Sequence, residues 1–151
     1  MRMKWNLRYA VEQNYFKPTD ATSDVLEQLR EDYPEESLDW VKENKWTGPK
    51  MIHTSDIDYS NYHTWRAAHE PEKVHKFKKK IKKGIMKPVI LVKTPENQKY
   101  IIIDGHHRSM AYRELGHSVV AYVTHVNEET GPWDTFHSKQ IKNDTGGGTD
   151  E

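Results

Sequence analysis

Cysteine is absent from the 151 residues. That gap excludes disulfides, thiolate nucleophiles, thiol redox chemistry and zinc sites built on sulfur. Net charge is missing too: 23 basic residues balance 23 acidic ones. No global field therefore attracts a polyanion, and electrostatic recognition has to come from local patches. No apolar run approaches the roughly 18 residues needed to span a bilayer, and the N-terminal residues contain no apolar signal core. The expectation is a soluble protein with no membrane partner, working in the cytosol or in an assembly built there. With 34% hydrophobic and 30% charged residues, a chain of this length buries one core and carries appendages.

Residues 1–19 mix aromatics with charges without a clean period and read as an arm. Two short helices are expected between Ser23 and Asn44. Thr22 or Ser23 caps the first, which turns Val25, Leu26 and Leu29 to one side. Pro34 breaks it and opens the second, with Glu35, Glu36, Leu38 and Val41. Trp46-Thr47-Gly48-Pro49 reads as a turn, and Met51 to Ile57 as a short strand entering a loop rich in Asp, Asn, Tyr and His. Glu70 to Lys83 is the clearest helix. Pro71 stands near its start, lysines fill its end, Gly84 stops it, and Val74, Phe77 and Ile81 form a narrow apolar stripe. Val89–Val92 and Tyr100–Ile103 are expected strands joined by a turn at Pro95–Gln98, a hairpin or nearly one. A helix over Ser109–Leu115 ends at Gly116, and Val119–Thr124 is a last strand. Gly131-Pro132-Trp133 breaks the pattern, and three consecutive glycines mark a disordered tail. The division read from this is 1–49 arm and helical extension, 50–126 α+β core, 127–144 flap and 145–151 tail.

The richest stretch is Tyr100 to Gly116, Y-I-I-I-D-G-H-H-R-S-M-A-Y-R-E-L-G. A β-branched strand enters a helix through a glycine turn, which aims backbone N–H groups and the positive end of the helix dipole at one spot. Such a spot attracts anions. His106, His107 and Arg108 add donors there, and arginine grips phosphate bidentately. Gly105, His106, His107, Arg108 and Ser109 are thus the candidate phosphate or nucleotide site. His107 is a charge-tunable donor, His106 a donor or base, and Asp104 a carboxylate that helps to position Mg²⁺ otherwise held by the phosphates. The plainer alternative has Asp104 capping the helix, the histidines stacked on aromatics, and Arg108 paired with Glu114 or a surface acid.

Four other features have two readings each. Glu70 and Glu72 complement a helix N-terminus, or Glu70 faces the phosphate corner as a general base or metal ligand. Lys76, Lys79, Lys80 and Lys83 are a solvated helix face, or they lie along a DNA backbone. Tyr59, Tyr62 and Trp65 by default fill a small core or pin a loop; the alternative is stacking on a base. Nine histidines invite zinc, but adjacent His106-His107 point apart and no HExxH-type pair appears.

The helix Glu70–Lys83, the proline-led strand Lys87-Pro88-Val89-Ile90-Leu91-Val92, and the corner Asp104-Gly105-His106-His107-Arg108 resemble the ParB N-terminal/sulfiredoxin-like superfamily. The segments Asp39–Val41 to Trp46–Pro49 and Gly131–Ser138 are similar to those of phage-encoded members found with head and portal genes. The resemblance implies an α+β fold with a small mixed sheet, packed helices and an N-terminal helical extension. ParB proteins are DNA-binding nucleotide switches whose box reads Gly-Glu-Arg-Arg; here His106 stands in place of the Glu, and no helix-turn-helix domain follows. Sulfiredoxins carry Gly-Cys-His-Arg; His107 and Arg108 match, but His106 replaces the reactive Cys, which excludes that activity. A kinase branch acting on free serine holds nucleotide at a similar corner, and some members are described as nucleases. The implied function is nucleotide phosphate binding (ATP, ADP or CTP, with Mg²⁺), with NTP hydrolysis or phosphoryl transfer, and with Asp104, His106, His107 and Glu70 as catalytic candidates. The alternative is a DNA-binding or virion-associated protein. DNA and phage structural proteins are the implied partners, and the host cytoplasm or the virion the implied place.

Overall fold

A computed structural model describes residues 20–126; the expected arm, flap, tail and the Gly131-Pro132-Trp133 break lie outside the described residues. The described elements are helix α1 (Thr22–Leu29), a 3₁₀ turn (Glu35–Leu38), α2 (Asp39–Lys42) and strand β1 (Thr47–Ile52). After a second 3₁₀ turn (Thr54–Asp56) come β2 (Ile57–Asp58), α3 (Tyr62–Ala68), α4 (Pro71–Lys82), β3 (Val89–Lys93), β4 (Tyr100–Asp104), α5 (His106–Glu114) and β5 (Val119–His125). The strands form one mixed sheet in the order β1-β5-β3-β4-β2. β3 pairs antiparallel with β4 and parallel with β5, so α5 carries the chain over β3. The class is α+β, as expected.

β3 sits at the centre because its sequence allows nothing else. Val89, Ile90, Leu91 and Val92 are all buried, and a continuous apolar run suits only a strand covered on both faces. Strand alternation then divides the core. Ile90, Val92 and Ile103 face the cluster made by Val25, Leu29, Leu38, Val41 and Trp46. Val89, Leu91 and Ile102 face Tyr112 of α5, with Ile81 of α4 packed alongside. The N-terminal helices therefore cover one sheet face, and α4 and α5 lean on the other. Trp46 locks the first layer: it is fully buried, its indole N–H donates to the Val41 carbonyl at 3.0 Å, and its ring lies 5.7 Å from that of Trp40.

Several local expectations change. Trp46–Pro49 is not a turn: β1 runs through Gly48 and Pro49, and its pairing with β5 shifts register between Thr47 and Lys50. An edge strand tolerates proline, which has no ladder N–H to offer, and Gly48 lies so close to the Ala121 carbonyl that a Cβ would come within 2.6 Å of it. The segment expected as a strand to Ile57 breaks at the 3₁₀ turn, and the following loop contains α3, whose N-terminus is capped by the Asn61 side chain accepting from the Thr64 N–H. α1 starts at Thr22, and the acceptor for its Thr22 N–H is Asp20, not a hydroxyl. The hydroxyl and N–H of Thr22 hold the Asp20 carboxyl below its usual range. α5 begins three residues before the expected Ser109.

Candidate functional site

The corner forms where β4 runs into α5. Gly105 is the hinge: its φ of +93° is open to glycine and strained for any other residue. A Cβ there would also meet the Arg108 guanidinium at 3.0 Å and the Val89 methyl at 3.1 Å. The turn is tight because Arg108 folds back over it. The α5 backbone ladder opens with the Ser109 N–H donating to the Gly105 carbonyl at 2.8 Å. An α-helix supplies no internal acceptor for the N–H groups ahead of that point, here those of His106, His107 and Arg108. No acid lies in the first turn, so a guanidinium sits where the dipole is already positive, against the usual preference.

Asp104 partly offsets that charge. Its Oδ2 accepts from Arg108 Nη2 at 3.2 Å and from the Gln28 amide at 3.0 Å. Arg108 therefore does not pair with Glu114, which holds Lys78 instead. Nor does the Asp104 carboxylate merely cap the helix, since it is one half of a buried ion pair whose side chains are 4% and 3% exposed. Gln28 also donates to the Pro88 carbonyl at 2.9 Å and so ties α1 to the corner.

The two histidines diverge. His107 Nε2 lies 3.0 Å from Glu70 Oε1. A carboxylate only accepts, so Nε2 is the donor of this bond. Glu70 is held in turn by Lys73 at 2.9 Å. Partial burial raises the Glu70 carboxyl pKa, but hydrogen bonds from Lys73 and His107 outweigh it, and the net shift is downward. Although Glu70 is the residue at the α4 N-cap, its side chain does not cap that helix; it spans to α5. His106 turns the other way. Thr64 Oγ1 donates its single hydrogen to Asn61 Oδ1 at 3.0 Å, so at 3.2 Å His106 Nδ1 is the donor to Thr64. The His106 ring also lies 5.3 Å from that of His63.

The corner is therefore a convergence of α1, β4, α3, α4 and α5. Asp104, His106, His107, Arg108 and Ser109 are all buried. Three of their polar atoms have no hydrogen-bond partner among the described residues: Asp104 Oδ1, His107 Nδ1 and Ser109 Oγ. Buried polar groups are normally satisfied, so these three atoms are exceptions around the β4–α5 corner. Glu70 joins the corner; Lys76, Lys79, Lys80 and Lys83 do not. Lys76, Lys79 and Lys83 are exposed along α4, and Lys80 lies over the Phe77 ring at 5.1 Å. Of the aromatics, Tyr59 pins the corner by donating to the Ser109 carbonyl at 3.4 Å. Tyr62 and Trp65 fill no core, being 39% and 57% exposed. Sequence reasoning missed Gln28, Asn61, Thr64 and His63. Asn61 had a signal, as a capping residue ahead of a helix; Gln28, 76 positions from Asp104, had none.

The fold is a small α+β domain in which β4 runs into α5 through the turn at Gly105. The ParB N-terminal domain family matches residues 39–132, more than half of the chain, and the protein belongs to that family. An uncharacterized protein of Methanocaldococcus jannaschii is 27% identical over 108 residues, covering 70% of this chain and 40% of the relative. The chain thus spans less than half the length of that curated relative. Among solved structures, sulfiredoxin from Arabidopsis thaliana aligns over 58% of this chain and 94% of its own, with 18% identity and a TM-score of 0.39. No helix among the described residues is long and apolar enough to cross a membrane.

Proposed function

We propose that the corner binds the phosphates of a nucleotide and that the reaction class is phosphoryl transfer or NTP hydrolysis. One observation carries the reading: the first turn of α5 is buried, has no acid, and carries two polar atoms, Ser109 Oγ and His107 Nδ1, without hydrogen-bond partners among the described residues. Amides, hydroxyl and guanidinium suit phosphate oxygens. In a water-poor site they also stabilise charge as it moves between attacking and leaving oxygens. His107, oriented by Glu70 through Nε2, would in its neutral form accept the proton of an attacking hydroxyl or water on Nδ1. Asp104 Oδ1 fits a supporting role toward Mg²⁺. Among the described residues no cluster of three His, Asp or Glu side chains exists to hold a metal alone, so the ion would rest mainly on phosphate oxygens. Bound there, it would neutralise phosphate charge.

The test is calorimetric titration with ATP, ADP, CTP and GTP, with and without Mg²⁺, of wild type and Ser109→Ala. Ser109 is the better probe because removing Arg108 would strand a buried carboxylate. Expected is binding of at least one nucleotide, weakened roughly 10-fold or more by loss of a hydroxyl bonded to a charged oxygen. No wild-type binding at millimolar nucleotide refutes the reading.

A second reading is favoured by the lysines along and just past α4, of which Lys76, Lys79 and Lys83 are exposed. Lys76, Lys79, Lys80 and Lys83 recur at three- and four-residue spacing and so share one helix face, which suits a DNA backbone. DNA binding would then fall steeply with salt, and charge reversal at Lys79 and Lys80 would weaken it while sparing nucleotide binding. A phage setting, with structural proteins of the particle as partners and the host cytoplasm or virion as place, belongs to the proposal on the strength of the sequence segments alone.

A further inference from the structure

The solvent side of α3 carries the two exposed large hydrophobic side chains found among the described residues, Tyr62 and Trp65. They form an ordered stack. The Tyr62 and Trp65 rings lie 6.2 Å apart at 25°, and the His69 ring packs against Trp65 at 4.3 Å, tilted by 42°. His69 is fixed there by a 2.8 Å hydrogen bond between its Nδ1 and the Trp65 carbonyl. Exposed aromatic area is ordinary when scattered and informative when grouped beside a functional site.

This group is beside the corner at both ends. Tyr62 abuts His63, ring to ring at 5.5 Å, and His63 abuts His106 at 5.3 Å. At the other end, His69 is followed directly by Glu70, the partner of His107. The opposite face of α3, with His63, Thr64 and Ala67, is buried, and Thr64 is bonded to His106. The helix is thus seated on α5 by one face and holds Tyr62 and Trp65 outward with the other, linked to the corner through His63 and His106. Tyr59 does not belong to this platform; its ring is covered by the Arg113 guanidinium at 4.6 Å.

We infer that Tyr62, Trp65 and His69 are the base-binding platform of the same site, stacking on the nucleobase of the nucleotide whose phosphates enter the corner at Gly105–Ser109. The inference rests on the phosphate reading and extends it from an anion site to a nucleotide site. Stacking reads the π-face that all bases share, so the platform adds affinity with little base selectivity.

The test compares ATP with inorganic tripolyphosphate, which has the phosphates but no base, on the full chain by calorimetry. Wild type should bind ATP more tightly than tripolyphosphate. Trp65→Ala should weaken ATP roughly 5- to 100-fold, the range for losing one aromatic stack, and leave tripolyphosphate unchanged. Trp65→Phe should retain most ATP affinity, and Tyr62→Ala should repeat the loss in milder form. Ser109→Ala should weaken both ligands. Urea midpoints close to wild type show that the variants are folded, as the exposure of Trp65 leads one to expect. If Trp65→Ala and Tyr62→Ala leave ATP affinity untouched while Ser109→Ala weakens both ligands, the platform is wrong and the phosphate corner stands. If wild type binds neither ligand, both fall.

Discussion

Replacing Arg108 by alanine should damage folding more than any other single change at the corner. Arg108 and Asp104 form an ion pair at 3.2 Å with side chains 4% and 3% exposed. Removing the guanidinium leaves Asp104 charged, buried and, among the described residues, held by Gln28 alone on the same oxygen. It also opens a void against Gly105, which the guanidinium covers within 3.1 Å of the Cβ position. Breaking a buried pair from one side costs about 3–5 kcal/mol; the surviving Gln28 bond puts this case near ~3 kcal/mol. With a urea slope of ~1.5 kcal/mol/M for a domain of this size, the midpoint falls by about 2 M. Circular dichroism and the fluorescence of the buried Trp40–Trp46 pair report the transition. The double replacement Asp104→Leu with Arg108→Met should recover most of the loss, because the penalty comes from desolvating a charge that no longer exists. A shift of the Arg108→Ala midpoint below ~0.5 M at unchanged slope would falsify the buried-pair account, since it means that water reaches the carboxylate.

Glu70→Gln tests the strap to His107. Because the Glu70 carboxyl is shifted below its ordinary value of 4.5, its stabilising effect is present above that value and fades as pH falls through the carboxylate range. Thermal melts should show wild type ahead of the variant at pH 7, with the gap closing as pH falls through the carboxylate range; a constant gap contradicts a stabilising Glu70 carboxylate. Gly105→Ala forces a Cβ into left-handed backbone beside Arg108 and should lose ~1–2 kcal/mol, together with nucleotide affinity; an unchanged urea midpoint argues against the tight turn. Trp46→Ala should cost about 3–5 kcal/mol in chemical denaturation, and a small loss there would mean that the N-terminal helices are not integral to the core.

Much of this architecture was legible locally. The apolar run at Val89–Val92 could only be a covered strand. Pro71 and Gly84 framed α4, and Asp104-Gly105 forced a strand-to-helix corner wherever the rest of the chain went. These are properties of backbone and near neighbours, written within a few residues of where they act. The failures share one cause. Gly48-Pro49 carries turn chemistry, yet β5 recruits it as an edge, because pairing with a partner strand outweighs a local preference for turning. Tyr62–Ala68 looks like a polar loop, and becomes a helix whose His63, Thr64 and Ala67 are buried against neighbours that the sequence does not name.

The site divides in the same way. The sequence by itself determined that a strand-to-helix corner bends at Gly105, between Asp104 of β4 and the first turn of α5. The tertiary structure alone decided what each side chain faces. It set Gln28 and Arg108 on Asp104, Glu70 on His107, Thr64 on His106, and Tyr62 with Trp65 outward on α3. Backbone geometry is a short-range property, but a buried charge takes its partner from whichever element the topology brings within about 3 Å.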